Sequence, residues 1–397
     1  MTSVSLRSRP APALGLAGAA LAALALPAAA NQINTGAEAG PYHASFCPAL
    51  KSHLKLAQFD YACAPSSGTR ENVERVLGNP RQLGFGQLDV FVQESRALKG
   101  EAALTILRQD DARECLFAAT RNKDVTNYGE LAAFARRLRF ILPPAGSGSA
   151  ATFHFLRSLD SDGLARARSV ANAGSIEEAI RESLSADDTV TLFVAFANPE
   201  SEEFALIHKL GGHVVPVIDR AILRQEADGK KIYFAQETQV DAGDWIRSGR
   251  KVTTACTPLV LFTGKPETVS GEQARKDHAD LIRTVSALPS GALLPEEPLY
   301  QKILKRTKEL SAVSTEKVLE LTDQAREKAR PYTDQALDKA KEIGDQAKQA
   351  TERATEAAKP YIDKTKEAAQ KAYDDALKAA KDLMDSRSKP DTAPKKN

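Results

Sequence analysis

The stretch SSGTRENVERVL, Ser66 to Leu77, sets small hydroxyl residues and a glycine directly before a helical pattern in which Val73, Val76 and Leu77 share one face. A helix start leaves its first backbone N–H groups without intrahelical partners and carries partial positive charge, so it draws an anion unless the chain caps it. Ser67 or Thr69 acting as an N-cap accounts for one hydroxyl, at ~1 kcal/mol, and leaves the rest of the run unexplained. Arg70, in the first turn, opposes the helix dipole unless an anion lies close.

A second start of this kind follows. PPAGSGSAATFHFL, Pro143 to Leu156, leaves the strand-like RFILPP (Arg139 to Pro144) and enters an apolar helix, with Gly146, Ser147, Gly148 and Ser149 freeing the backbone to approach a ligand. It lacks the Gly-Lys-Ser/Thr of a phosphate-binding loop and is not a G-x-S-x-G turn, so neither nucleotide hydrolysis nor a hydrolase elbow is indicated. Two anion-receptive starts in separate segments predict a cleft closing on a ligand that is polar at both ends.

The surrounding sequence supplies a scaffold for such a cleft. From about Asn31 to Ser290 short β-like runs alternate with amphipathic helices, the pattern of a layered α/β protein. The clearest strands are Phe59 to Pro65, Arg139 to Pro144, Thr189 to Ala197, His213 to Asp219 and Thr253 to Phe262. Helices are predicted at about Ala44 to His53, Thr69 to Leu77, Ser149 to Leu159, Ser175 to Leu184 and Gly271 to Ala287.

The chain's 397 residues, 42% hydrophobic and 27% charged, suffice for one large or two ordinary domains and a more polar segment. Net charge is only +2 at neutral pH, which argues against nucleic acid as a partner. Arg7 and Arg9 precede an apolar run from Ala11 to Leu26, and Ala28, Ala29 and Ala30 offer small residues for cleavage, so residues 1–30 read as a signal peptide and the mature chain as periplasmic. An uncleaved anchor is the alternative, but Pro10, Pro12 and Pro27 leave roughly 15 apolar residues against the ~20 that span a bilayer.

Four cysteines, Cys47, Cys63, Cys115 and Cys256, suit an exported chain and permit three pairings. Cys47 with Cys63, in one lobe, and Cys115 with Cys256, in strand-like segments, are the preferred pairs; four buried free thiols are the alternative. No C-x-x-C spacing points to zinc. The six histidines show no H-E-x-x-H or triad signature; His208 and His213, in HKLGGH, read as surface or cap residues before they read as metal ligands. The expectation is a binding protein without catalytic residues, metal or cofactor.

After about Pro298 the composition turns to Lys, Glu, Asp, Ala and Gln. Ala325, Ala336, Ala347, Ala358, Ala369 and Ala380 recur every 11 residues, three turns of an almost straight helix. Pro331 and Pro360 are expected to kink it. The alanine stripe buries little, so a solvated spacer or a helix meeting an envelope partner is expected, a lipid-surface helix less so, because the apolar face lacks the Trp, Phe and Leu such helices use. The last residues, 387–397, read as disordered.

NTGAEAGPYHASFCPAL (Asn34 to Leu50), SSGTRENVERVL, QLGFGQLDVF (Gln82 to Phe91) and PPAGSGSA resemble, in order and spacing, the TAXI group of solute-binding proteins that serve TRAP-type transporters. The resemblance covers about Gln32 to Ala287. It implies a two-lobed type II periplasmic-binding-protein fold, here followed by a long helical extension: 31–105 as the first part of lobe 1, 106–255 as lobe 2, 256–298 as the return to lobe 1, and 299–386 as the tail. Thr105 to Arg121 and Thr253 to Phe262 would be the crossing strands, bringing Cys115 to Cys256. The ligand implied is a glutamate-like amino acid or a dicarboxylate. Tyr42 would pack on it, Ser67, Gly68, Thr69 and Asn72 would meet one carboxylate, Gln87 and Asp89 would line the floor, and Ser147, Gly148 and Ser149 would close from the other lobe. Asp89 would pair with a ligand ammonium or cap the helix that follows. His43 stands where the family has a second tyrosine, Arg70 departs from its pattern, and the tail lies outside it.

Overall fold

The computed structural model describes residues 31–241, 249–295 and 308–387. The expected signal peptide, Trp245, residues 296–307 and the C-terminus from 388 lie outside these residues.

Two half-sheets with one internal order build the body. In the first, β1 (Asn31–Asn34) lies between β2 (Tyr61–Ala64) and β3 (Leu83–Gln87), all parallel. Antiparallel to β3 runs the far half of β12 (Lys251–Gly264), and beyond it comes the near half of β4 (Leu104–Thr120). In the second, β5 (Arg139–Leu142) lies between β6 (Ser169–Asn172) and β7 (Thr189–Ala195), again parallel. Antiparallel to β7 runs the far half of β4, with β8 (His213–Pro216) on its other side. Each lobe therefore reads second, first, third, antiparallel insert, fourth, and each insert is a strand arriving from the other lobe. That duplicated order, with β4 and β12 crossing side by side, is the type II periplasmic-binding-protein architecture.

The crossing strands carry the register. Cys115 stands opposite Cys256 and the two are joined, while a second disulfide links Cys47 to Cys63. Past that point the β4–β12 ladder shifts register between Pro258 and Val260, where the proline has no N–H to give.

Helices cover the sheets: α1 (Cys47–Leu56), α2 (Thr69–Gly78), α3 (Leu88–Ala97) and α9 (Glu272–Ser286) in lobe 1, with α4 (Tyr128–Phe134), α5 (Gly148–Leu159), α6 (Ile176–Ser183), α7 (Glu202–Lys209) and α8 (Arg220–Leu223) in lobe 2. The helix expected from Ala44 to His53 divides into a π-turn, Tyr42–Phe46, and α1, because Pro48 fits only the first turn of an α-helix. One cluster of buried side chains joins Leu88, Phe91 and Val92 of α3 to Phe140 and Phe153 of lobe 2, so the lobes are packed against each other.

The tail departs from its expected form. Lys308–Glu309 (β13) pairs with β11 (Phe234–Gln239), and the helix begins only at Ala312, running to Arg387 as α10. It continues through Pro331 and Pro360, about 115 Å of helix at 1.5 Å per residue. One face of its stretch from Leu319 to Thr333 is not solvated. Leu319, Thr322, Ala329 and Thr333 are buried, and the helix lies so close to α4 that a Cβ on Gly129 would sit 2.1 Å from the Thr322 carbonyl oxygen. Arg326 pairs with Asp160 (3.4 Å) and Asp219 (3.2 Å) and lies over the Tyr128 ring. Beyond Thr333 the described side chains are exposed.

Candidate functional site

The two glycine-serine runs face each other across the interlobe seam. A Cβ on Gly68 would lie 2.7 Å from the Gly146 carbonyl oxygen, and one on Gly146 would lie 2.8 Å from Ser67 Cβ. Gly68 holds φ at 146°, which an L side chain rarely adopts, so glycine is required there by conformation and by space alike. The Gln87 amide lies over the start of α5, its Oε1 1.7 Å from where a Gly148 Cβ would be. Ser67, Gly68, Gln87, Gly146, Ser147 and Gly148 thus converge as the sequence implies, with the lobes shut upon one another.

Of the groups expected to hold a ligand carboxylate, Ser67 and Asn72 donate to partners within the chain, while the hydroxyl oxygens of Thr69, Ser147 and Ser149 accept from backbone N–H groups. The N–H and hydroxyl of Ser67 both donate to Glu71 Oε2 at 2.7 Å, and that carboxyl is held below its usual range chiefly by these bonds. The same device recurs where Thr126 donates to Glu130 (2.7 and 2.8 Å) and where the Gly174 N–H donates to Glu178 (2.6 Å). In each, a glutamate in the first turn reaches back past the N-cap. Ser147 Oγ accepts from the Ala150 N–H as an N-cap, and Ser149 Oγ accepts from the Val194 N–H. Asn72 donates to the carbonyls of Thr35 and Phe85, fastening α2 to β1 and β3, and Thr69 Oγ1 accepts from the Gln87 N–H. Arg70 pairs with Glu74 and Glu94, and His43 with Thr35.

Four of the described helices, α1, α2, α3 and α9, begin without a side-chain cap. Asn127, Ser147, Ser175, Ser201 and Asp219 cap α4 to α8 through their side chains, whereas α2 has glycine at its N-cap and no side-chain cap. The N–H groups of its first turn border the seam without a capping side chain.

Beside this start lies a buried acidic centre. Asp89, in the first turn of α3, is fully buried; its Oδ2 accepts from Thr152 Oγ1 (2.6 Å) and Tyr233 OH (2.8 Å), both of lobe 2. Its Oδ1 has no hydrogen-bond partner among the described residues. Tyr42 OH donates to Glu114 on β4, at the crossing, and the Tyr42 ring lies among Phe46, Phe85 and Phe196. Burial, with the Asp89 charge adding to it, pushes Glu114 up to about 8, and burial likewise raises Asp89 despite the hydroxyls of Thr152 and Tyr233 and the nearby backbone N–H groups of Val90 and of Asp89 itself. Two carboxyls excluded from water at one crossing take up a cation or keep a proton.

Glu114, Thr152 and Tyr233 escaped the sequence reading. Glu114 carries the one available signal, an acid in the apolar strand run ECLFAA. Thr152 and Tyr233 look ordinary until the lobes meet. Among the described residues no group of His, Cys, Asp and Glu could hold a metal ion.

No family model matches the chain, and no curated protein sequence matches it. Solved structures similar to it include the GluR0 ligand-binding core in complex with L-glutamate, at 9% identity, covering 66% of this chain and 97% of that one with a TM-score of 0.35. The VFT2 domain of Bordetella pertussis BvgS matches at 9% identity over 70% of this chain and 92% of its own, with a TM-score of 0.39. XAC2383 from Xanthomonas citri, bound to ATP, matches at 9% identity over 76% and 98%, with a TM-score of 0.37. At these scores the architecture rests on the strand order described above.

Proposed function

We propose that the chain is a periplasmic receptor, and not an enzyme, which closes its two lobes on a small amino acid of the glutamate kind for delivery to a TRAP-type permease. The observation that carries this reading is the unpartnered Asp89 Oδ1, buried beside Glu114 where the crossing strands meet. A ligand ammonium satisfies that oxygen and offsets the cost of ionising two buried acids. The uncapped start of α2 would receive the ligand carboxylate. A dicarboxylate without an amino group fits poorly, because it would bring negative charge to a centre already acidic, and Ser67, expected to receive it, donates to Glu71 instead. The two disulfides agree with an oxidising compartment.

A thermal-shift panel on the full chain tests the proposal, with L-glutamate, L-glutamine, 2-oxoglutarate, succinate and malate as probes. At about 100 times its dissociation constant a ligand stabilises by ~2.7 kcal/mol. Amino acids are expected to raise Tm and the acids lacking nitrogen to leave it unchanged; the reverse order, or turnover of any probe, contradicts the proposal. Uptake of the bound amino acid that persists when the permease genes are removed contradicts the delivery role.

A further inference from the structure

The docked part of the tail and lobe 2 form an open pocket of about 230 Å³, lined by Arg136, Arg166 and Asp162 from the body and by Arg326, Arg330 and Asp334 from α10. Arg166 and Arg326 have acidic partners, so the positive charge left over in the pocket is that of Arg136 and Arg330, against Asp334. Of the four, Arg166 is paired with Asp162 at 2.7 Å, and Arg326 reaches Asp160 and Asp219 through one terminal nitrogen. The Nε of Arg326 is buried and has no acceptor among the described residues. Arg136 and Arg330 have no acidic partner among the described residues either. Planar guanidinium donors converging from two elements match the oxygens of a tetrahedral anion, to which arginine binds in paired hydrogen bonds.

We propose that this seam binds a small phosphate-class dianion, which bridges Arg136 of the body and Arg330 of the tail and so fastens α10 to lobe 2. Like-charged arginines drawn together by the docking then attract one ligand instead of repelling each other. The site differs from the Asp89 centre in composition and shares no lining residue with it, and it does not depend on what the interlobe seam binds. Its ligand is either a free phosphate or a lipid phosphomonoester headgroup, two sources of one chemistry.

The test titrates the full chain with inorganic phosphate and pyrophosphate at constant ionic strength, following heat of binding and Tm, with Arg136→Gln and Arg330→Gln compared with Lys348→Gln as a control on the exposed tail. Saturable binding is expected, at least tenfold weaker in either arginine variant and unchanged in the control. Circular dichroism confirms that both variants keep their helix, since neither arginine holds an ion pair whose loss would unfold the body. In a parallel arm, retention on phosphatidic acid vesicles but not on phosphatidylcholine, lost in both arginine variants, identifies the headgroup as the source. Binding of free phosphate without retention on vesicles identifies the soluble ion. No saturable response in either arm, or binding that survives both substitutions, overturns the proposal.

Discussion

At the scale of single residues, the behaviour of the seam turns on two acids. Glu114 holds its proton to about 8 in the folded chain, against 4.5 when exposed. The folded state thus binds the extra proton, so this residue's contribution to stability is complete below about pH 4.5 and is lost as pH rises through about 8. The expected outcome is a Tm that falls between pH 5 and pH 8, and a Glu114→Gln variant in which most of that slope has gone. A slope unchanged by the substitution would show that Glu114 is not the group that titrates. The neighbouring Asp89 follows the same sign, since burial raises it too. Arg326 holds the base of the tail, with 21% of its side chain exposed between two acids exposed by 9%. Arg326→Ala is expected to cost about 3 kcal/mol, the lower end for breaking a largely buried pair, and chemical denaturation would read it as an earlier transition.

At the scale of elements, Gly129 decides whether the tail can dock. A methyl group there would meet both the Thr322 carbonyl oxygen and, at 2.9 Å, the Arg326 nitrogen, so Gly129→Ala should release the start of α10 and leave the body folded. Limited proteolysis would then cut near residues 312–333 while the Tm of the body changes little; a tail as protected as before would contradict the described packing. Much of the element plan could be read in advance. α2 begins at Thr69, α5 at Gly148 and α9 at Glu272, within a residue of expectation, because apolar spacing starts there after a glycine or, at α5, after the Ser147 cap. The pairing of Cys115 with Cys256 followed from the crossing strands. What escaped were features that exist only after packing. The sequence shows Ser67 and Glu71 four apart, yet whether that glutamate turns back to the serine or leaves it to a ligand depends on its rotamer. The strand at Lys308 and the docking of α10 are equally invisible, since the tail's composition is uniform where its surroundings are not.

At the scale of the whole molecule, the lobes stand closed, packed through one apolar cluster and tied by a few specific polar and backbone contacts. Thr152 and Tyr233 reach across to Asp89, while Gly68 meets Gly146 without intervening side chains. Gly68→Ala adds a methyl group where 2.7 Å remains to the opposite carbonyl, and forces a strained φ besides. Small-angle scattering should show a larger radius of gyration for that variant, with the parent radius restored by none of the amino acids tested. An unchanged radius would mean that closure does not pass through this contact.

The central claim, that a ligand ammonium completes the buried acid pair, is tested most directly by calorimetric titration of the full chain and of Asp89→Asn with L-glutamate and with succinate. The account predicts saturable heat from the amino acid alone, weakened at least a hundredfold in the variant. Equal binding by Asp89→Asn, or tighter binding of succinate than of L-glutamate, would contradict it.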